Sequence, residues 1–300
     1  MSFLETGIER EIAGTPENPL GMNGIEFIEF STRKPQALGQ VLEMLGFQPV
    51  ARHRSREVLL YRQGDMNVII NAHPGSRPTL AEESDDPAIA AIALRVRDAG
   101  AAYQRALARG AWPIKTQVQP MELNIPAIHG VGNSRIFFVD RYREFSIYDV
   151  DFVPIPTVQA KPPALADFEF FGVVQYIGVD RVEDWTEFYR ELFGFHVVPD
   201  EQRFGILPKG RVLRSPCGKF FLQLIEPEPA SWDLEGEERF QRFALSTPDV
   251  LGAVATLRQR GLDFTETRDV HSESRGAITQ TYLGGVSFEL VHRDATGGDK

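Results

Sequence analysis

One phrase, written four times along this chain, restricts the folds open to it more than any other feature. Its fullest form is GVVQYIGVDRVEDWTEFYRELFGF, from Gly172 to Phe195. Val173, Gln175 and Ile177 alternate with Val174, Tyr176 and Gly178, which is the two-residue period of a strand. Asp180 stands where a helix N-cap is expected. Val182, Trp185, Phe188, Tyr189 and Leu192 then recur at three- and four-residue steps and make one apolar helix face. Gly194 suits the left-handed residue that ends such a helix. The same order of strand, helix and glycine occurs in GIEFIEFSTRKPQALGQVLEMLGF (24–47), AIALRVRDAGAAYQRALARG (91–110) and RFALSTPDVLGAVATLRQRG (242–261). Short β-rich runs trail each copy. The pattern predicts four βαβββ units, grouped in two halves about 150 residues apart.

The rest of the chain fits around these units. Its 300 residues allow two domains, each with its own core. The first occupies 22–153, with strands expected at 57–63, 67–72 and 136–140, and the second 167–293. Pro154, Pro156, Pro162 and Pro163 make 154–166 a stiff linker. Residues 1–21 read as an N-terminal arm and 294–300, DATGGDK, as a disordered tail. A net charge of −10 without a Lys/Arg cluster argues against a nucleic-acid partner. No apolar run is long enough to cross a bilayer, so no membrane partner is expected. Glu5, Glu9 and Glu11 stand where a secretory signal would be basic and then apolar, which points to the cytoplasm. The single cysteine, Cys217, excludes an internal disulfide and a thiolate zinc cluster. Homo-oligomerisation is left open.

The repeated unit resembles the vicinal oxygen chelate proteins, the glyoxalase and extradiol dioxygenase superfamily. That resemblance implies an α+β fold of two such domains, with cupped mixed sheets, helices outside, and a metal or ligand inside a cup. NPLGMNGIEFIEF, RHRSREVLLYRQGDMNVIINAHP, PMELNIPAIHGVG and FSIYDVDFV, between Asn18 and Val153, narrow it to 4-hydroxyphenylpyruvate dioxygenase. The second half, Phe170 to Arg293, is similar to that family only in outline. The family's first half carries no metal. His53, in RHRSR, and His73, after a strand end, have no carboxylate or second histidine at ligand spacing and read as structural or surface residues.

In the resembled dioxygenases two histidines and a glutamate hold iron, leaving positions open for an α-keto acid and O₂. Carried across one residue at a time, these ligands fall on Gln175 in VVQYIGV, Arg242 in FQRFALST and Glu289 in VSFELVHR. Only the glutamate is retained. Guanidinium has no lone pair and stays protonated, so Arg242 would repel a metal and pair with Glu289 instead. The alternative is a shifted register, with Arg242 pointing outwards. His292 falls on the opposite face from Glu289 in an unbroken strand, and His196 opens the strand after a helix. A relocated site using His271, in the loop HSESRG, has no pattern behind it. Gln223 and Gln280 take inward positions in the family. With Gln175, Arg242 and Glu289 they would form a polar cluster in one cup, satisfied internally or completed by a ligand. The family's closing helix has no counterpart after HRDATGGDK. The implied pseudo-symmetry superposes Glu26 on Gln175, Ala91 on Arg242 and Ser146 on Glu289.

Three readings compete at this point. The first is a dioxygenase-like protein that has lost iron, needs no cofactor, and binds a small anionic or aromatic molecule, such as a carboxylate, in the second cup. The second is a working Fe(II)-dependent dioxygenase of 4-hydroxyphenylpyruvate or a related α-keto acid. The third is an accessory module related to the C-terminal half of fused 3-dehydroshikimate dehydratases.

Overall fold

The computed structural model of the chain describes residues 14–73, 76, 85–115, 122–202, 205–206, 210–226 and 238–293. The first half contains β1 (Ile25–Ser31), β2 (Gln48–His53), β3 (Val58–Gln63), β4 (Met66–Asn71), β5 (Ala88–Arg95), β6 (Ala127–His129), β7 (Arg135–Val139) and β8 (Phe152–Pro154). They form one 8-stranded sheet in the order β6-β7-β5-β1-β4-β3-β2-β8. The second half contains β9 (Glu169–Tyr176), β10 (His196–Val197), β11 (Arg211–Arg214), β12 (Phe221–Ile225), β13 (Arg239–Thr247), β14 (Gly276–Ile278) and β15 (Phe288–His292). They form a 7-stranded sheet in the order β10-β11-β12-β9-β13-β15-β14. The topology repeats: β1 runs parallel to β4 and antiparallel to β5, as β9 does to β12 and β13. The α+β class and the two mixed sheets agree with the repeat.

Among the described residues five α-helices accompany the sheets: α1 (Pro35–Met44), α2 (Ala99–Ala108), α3 (Ile147–Asp151), α4 (Val182–Phe193) and α5 (Val250–Gln259). Two start where a carboxylate caps them. The Asp98 side chain accepts from the Ala101 N–H in α2, and Asp249 accepts from Gly252 in α5. The expectation that Asp180 caps α4 is corrected. Asp180 sits at φ 57, one residue too early, and the N-cap is Arg181. Carboxylates from the sheet serve that end instead. Glu226 accepts from the Val182 N–H at 3.1 Å, and Glu238 accepts from the Gly178 N–H and Trp185 Nε1 at 3.0 and 2.9 Å. Gly194 closes α4 at φ 79, the left-handed conformation that favours glycine.

Helices α1, α2, α4 and α5 cover the convex faces of their sheets, and the two convex faces meet, while α3 packs with the cup side of the first sheet. The main core therefore runs unbroken from Ile28, Phe30 and Phe47 in the first half to Phe243, Phe288 and Leu290 in the second. Phe243 lies at the join, with the rings of Phe30, Phe47, Phe170 and Phe288 between 5.1 and 6.4 Å away. Helices are thus outside each sheet but inside the molecule at the seam. Arg109, after α2, pairs with Glu191 of α4, and Arg260, after α5, donates to the carbonyls of Glu43 and Met44 at the end of α1. The described part of the N-terminal arm is docked: Leu20 is fully buried, and Pro19 lies against Gly194. The linker is fastened along the first half, where Gly64 N donates to Pro162 O and Arg62 to Ala160 O. Among the described residues no helix is long and apolar enough to cross a membrane. The expected tail, 294–300, lies outside the described residues.

Candidate functional site

Residues directly opposite one another in a sheet share a face. Two such rungs cross the concave face of the second sheet. One reads Val212, Gln223, Val174, Arg242, and the other Phe221, Gly172, Ala244, Glu289. Phe171 joins them because β9 carries a bulge there, opposite the step from Ala244 to Leu245. Arg242 and Glu289 are 4% and 5% exposed, and Arg242 Nε donates to Glu289 Oε2 at 3.1 Å. The contact is single-pronged: Arg242 Nη2 is buried without a hydrogen-bond partner. Gly205, at φ 77, brings a loop against the pair so closely that a Cβ there would lie 3.0 Å from Glu289 Oε1. What remains of the cup is a cavity of about 20 Å³ lined by Phe171, Phe221, Gln223, Ala244 and Glu289 among others. That is room for roughly one water.

Three of the five residues singled out by sequence come together here: Gln223, Arg242 and Glu289. Gln175 does not. It pairs with Leu224 and Phe240 on the convex face, where its Oε1 accepts from the Tyr189 hydroxyl of α4 at 2.6 Å. Its own Nε2 is buried without a partner. Burial raises the Tyr189 phenol above its ordinary pKa. The β9 residue beside Arg242 is Val174. Sequence reasoning missed this one-residue shift because both faces of β9 are buried, so polar alternation gives no phase. Gln280 is also displaced: it lies beyond β14, is exposed, and its backbone N–H donates to Asp263 O.

The pseudo-symmetry corrects in the same way. The bulge at Ala90 of β5, opposite Glu29 and Phe30 of β1, matches the one at Gln241 of β13, opposite Val174 and Gln175 of β9. Glu29 therefore takes the place of Val174, Phe30 that of Gln175, and Ala91 that of Arg242, the last as expected. Glu289 corresponds to Phe137, which faces Ala93 across the parallel pair, and not to Ser146, which caps α3 after the last strand of the unit. The first cup is accordingly filled. Phe27 and Phe137 meet at 5.8 Å, with Leu60, Ile69, Ala93, Val139 and Tyr148 packed beside them. His53 accepts from the Ser55 backbone N–H and packs its ring edge-to-face on Phe152. His73, His196 and His271 are exposed, and His292 alternates onto the face opposite Glu289.

Val174, Arg242 and Glu289 are the positions that converge, and they offer one apolar side chain, one cation and one carboxylate. A ferrous ion held by a facial triad needs two imidazoles beside its carboxylate, and guanidinium has no electron pair to give. The residues present do not fit that ion. Among the described residues no group of three His, Cys, Asp or Glu is placed to hold any metal.

Residues 16–153 match the sequence profile described as "Hydroxyphenylpyruvate dioxygenase, HPPD, N-terminal". Residues 171–290 match that of the "Glyoxalase/Bleomycin resistance protein/Dioxygenase superfamily". Hemolysin VllY of Vibrio vulnificus is 33% identical over 94% of this chain and 91% of its own length. The 4-hydroxyphenylpyruvate dioxygenase of Pseudomonas aeruginosa is 32% identical over 85% of this chain and 75% of its own. A 3-dehydroshikimate dehydratase of Pseudomonas putida is 33% identical over 98% of this chain, which spans only 48% of that protein. In fold, a variant of 4-hydroxymandelate synthase from Streptomyces coelicolor superposes with a TM-score of 0.73 over 93% of this chain and 95% of its own, at 17% identity.

Proposed function

Because the chain belongs to the 4-hydroxyphenylpyruvate dioxygenase family of the glyoxalase/dioxygenase superfamily, we propose its function from the point where its second cup departs from that family. The reading is an iron-independent member that binds a small carboxylate-bearing or aromatic molecule against Arg242. One observation carries it: Arg242 Nε stands 3.1 Å from Glu289 Oε2 on the concave face. A fixed cation there occupies the ground a metal would need. The partnerless Nη2 supports an anion contact, since a buried charged donor gains from any acceptor that reaches it. A ligand larger than a water enters by displacing the stacked rings of Phe171 and Phe221, whose centroids are 5.0 Å apart in the cavity wall.

Activation of O₂ in this fold calls for a redox metal with open positions, so the reading carries no turnover of 4-hydroxyphenylpyruvate. Loading the purified protein with Fe²⁺ and ascorbate tests it. The expected result is no stoichiometric iron and no homogentisate; homogentisate formation overturns the reading in favour of a working dioxygenase. For the ligand, small carboxylates are expected to raise the melting temperature of wild type but not of Arg242→Met. Equal protection of both moves the ligand elsewhere. A second reading, an accessory module with a closed cup, draws on the dehydratase relative that matches this whole chain with about half of its own length. Absence of protection in either protein favours that module.

A further inference from the structure

A cavity larger than that of the second cup lies outside both cups. A cleft of about 680 Å³ lies between the halves, within the ~300–1,000 Å³ of small-molecule sites, which favour domain interfaces. Its walls are equivalent stretches of the two units. Asn23, Gly24 and Ile25 face the cleft from before and within β1, as Phe168, Glu169 and Phe170 do around β9; the turn at Gly64 and Asp65 does so before β4, as Gly218 and Lys219 do before β12. The scaffold is symmetric, but its chemistry is not. Asp65 of the first turn is answered by Lys219 in the second. Glu26 and Arg95, an ion pair at 2.5 Å, have Phe171 and Ser246 as their counterparts across the seam.

Lys219 crosses that seam. Its Nζ donates to Asn23 Oδ1 at 2.6 Å, a neutral partner that occupies one of three N–H donors. On the same wall Arg293 is held by the backbone carbonyl of Asp167, and the exposed Glu169 carboxylate stands 3.8 Å from its Nε. Ala166 and Asp167 both have left-handed backbone, φ 48 and 52, at this rim, a conformation non-glycine residues adopt at a cost. Thr247 Oγ1 and Arg293 pin their carbonyls. The apolar floor is the outer side of the Phe171 and Phe221 stack, with Met66. The lining holds three carboxylates, Asp65, Asp167 and Glu169, and three cations, Arg95, Lys219 and Arg293, with Lys161 standing 3.7 Å from Asp65; a lining of both signs opposes an ion of either single sign and matches one that carries both.

We propose that this cleft is a ligand site distinct from the second cup, with which it shares the Phe171 and Phe221 wall, and that it takes a zwitterion of the α-amino-acid type with an apolar side chain. Lys219 receives the carboxylate, the Glu169 and Asp65 side receives the ammonium, and the side chain lies on Phe171 and Phe221. Calorimetric titration of the full chain with L-phenylalanine tests it, with phenylacetate and phenethylamine as probes that each lack one charge. One site per chain is expected for L-phenylalanine, weakened roughly tenfold or more by Lys219→Glu, by loss of either probe charge, and not by Arg242→Met. Lys219 is exposed, so Lys219→Glu should melt like wild type and serves as its own folding control. Binding of L-phenylalanine that survives Lys219→Glu, or phenylacetate binding as tightly as L-phenylalanine, overturns the proposal. Loss of binding both in Arg242→Met and in the milder double variant Arg242→Met with Glu289→Leu, each folded by circular dichroism, places the ligand in the cup and overturns it too, while leaving the iron-independent reading intact. No binding of L-phenylalanine to wild type also overturns it.

Discussion

Arg242 and Glu289 hold each other in a place where neither could stand alone. Both are almost fully buried, and removal of one partner leaves the other charge uncompensated. Arg242→Met or Glu289→Leu alone should each cost about 3 to 5 kcal/mol, and the double change should be milder than either, as urea unfolding of the four proteins would show. Equal and additive losses would mean the two do not interact. His53 offers a second residue-scale test, by pH. Burial first, and Arg56 after it, depress its pKa, against the opposing pull of Asp151 and Glu122. A folded pKa below the unfolded 6.5 gives stability that is present above 6.5 and lost as pH falls through the folded value. Relative to His53→Gln, wild type should therefore weaken on acidification below that point; a flat difference would refute the burial. At this scale Arg242 and Glu289 were legible because the resemblance to the dioxygenases carries metal-ligand positions onto them, and a guanidinium in such a position calls for a carboxylate partner. Val174 was not, since nothing distinguishes a valine that faces a cup from one that faces a helix.

Helices were the most legible elements and bulges the least. The three- and four-residue spacing located α1, α2, α4 and α5, and glycine marked the stop of α4, because both signals are local. The bulge at Phe171 and the one at Gln241 depend on what the neighbouring strand does, and each shifts the phase of its strand by one residue. The start of α4 fails for the same reason, its capping groups being Glu226 and Glu238, which lie far along the chain. Glu238→Ala should leave the Gly178 N–H and Trp185 Nε1 without their acceptor and cost about 1 to 3 kcal/mol, with a change in tryptophan emission. An unchanged melting temperature would show that α4 is set by its apolar face alone.

At the scale of the molecule, two units that look separable in sequence share one core. Phe243 packs against rings from both halves, and Arg260 and Lys219 bond across the seam. The proline-rich stretch 154–166 suggested a spacer, but its carbonyls are used by the first half, an arrangement that only the folded chain reveals. A single cooperative transition is expected in calorimetry, and two resolved transitions would contradict the continuous core. The central claim is that a guanidinium and a valine stand where two metal-binding imidazoles would be. Cobalt(II) titration of the double variant Val174→His with Arg242→His addresses it most directly. With Glu289 these changes complete a facial triad, so the account predicts one bound Co²⁺ per chain in the variant and none in wild type or in Gln175→His with Arg242→His. Stoichiometric Co²⁺ in wild type, or in the Gln175→His pair but not the Val174→His pair, would contradict it.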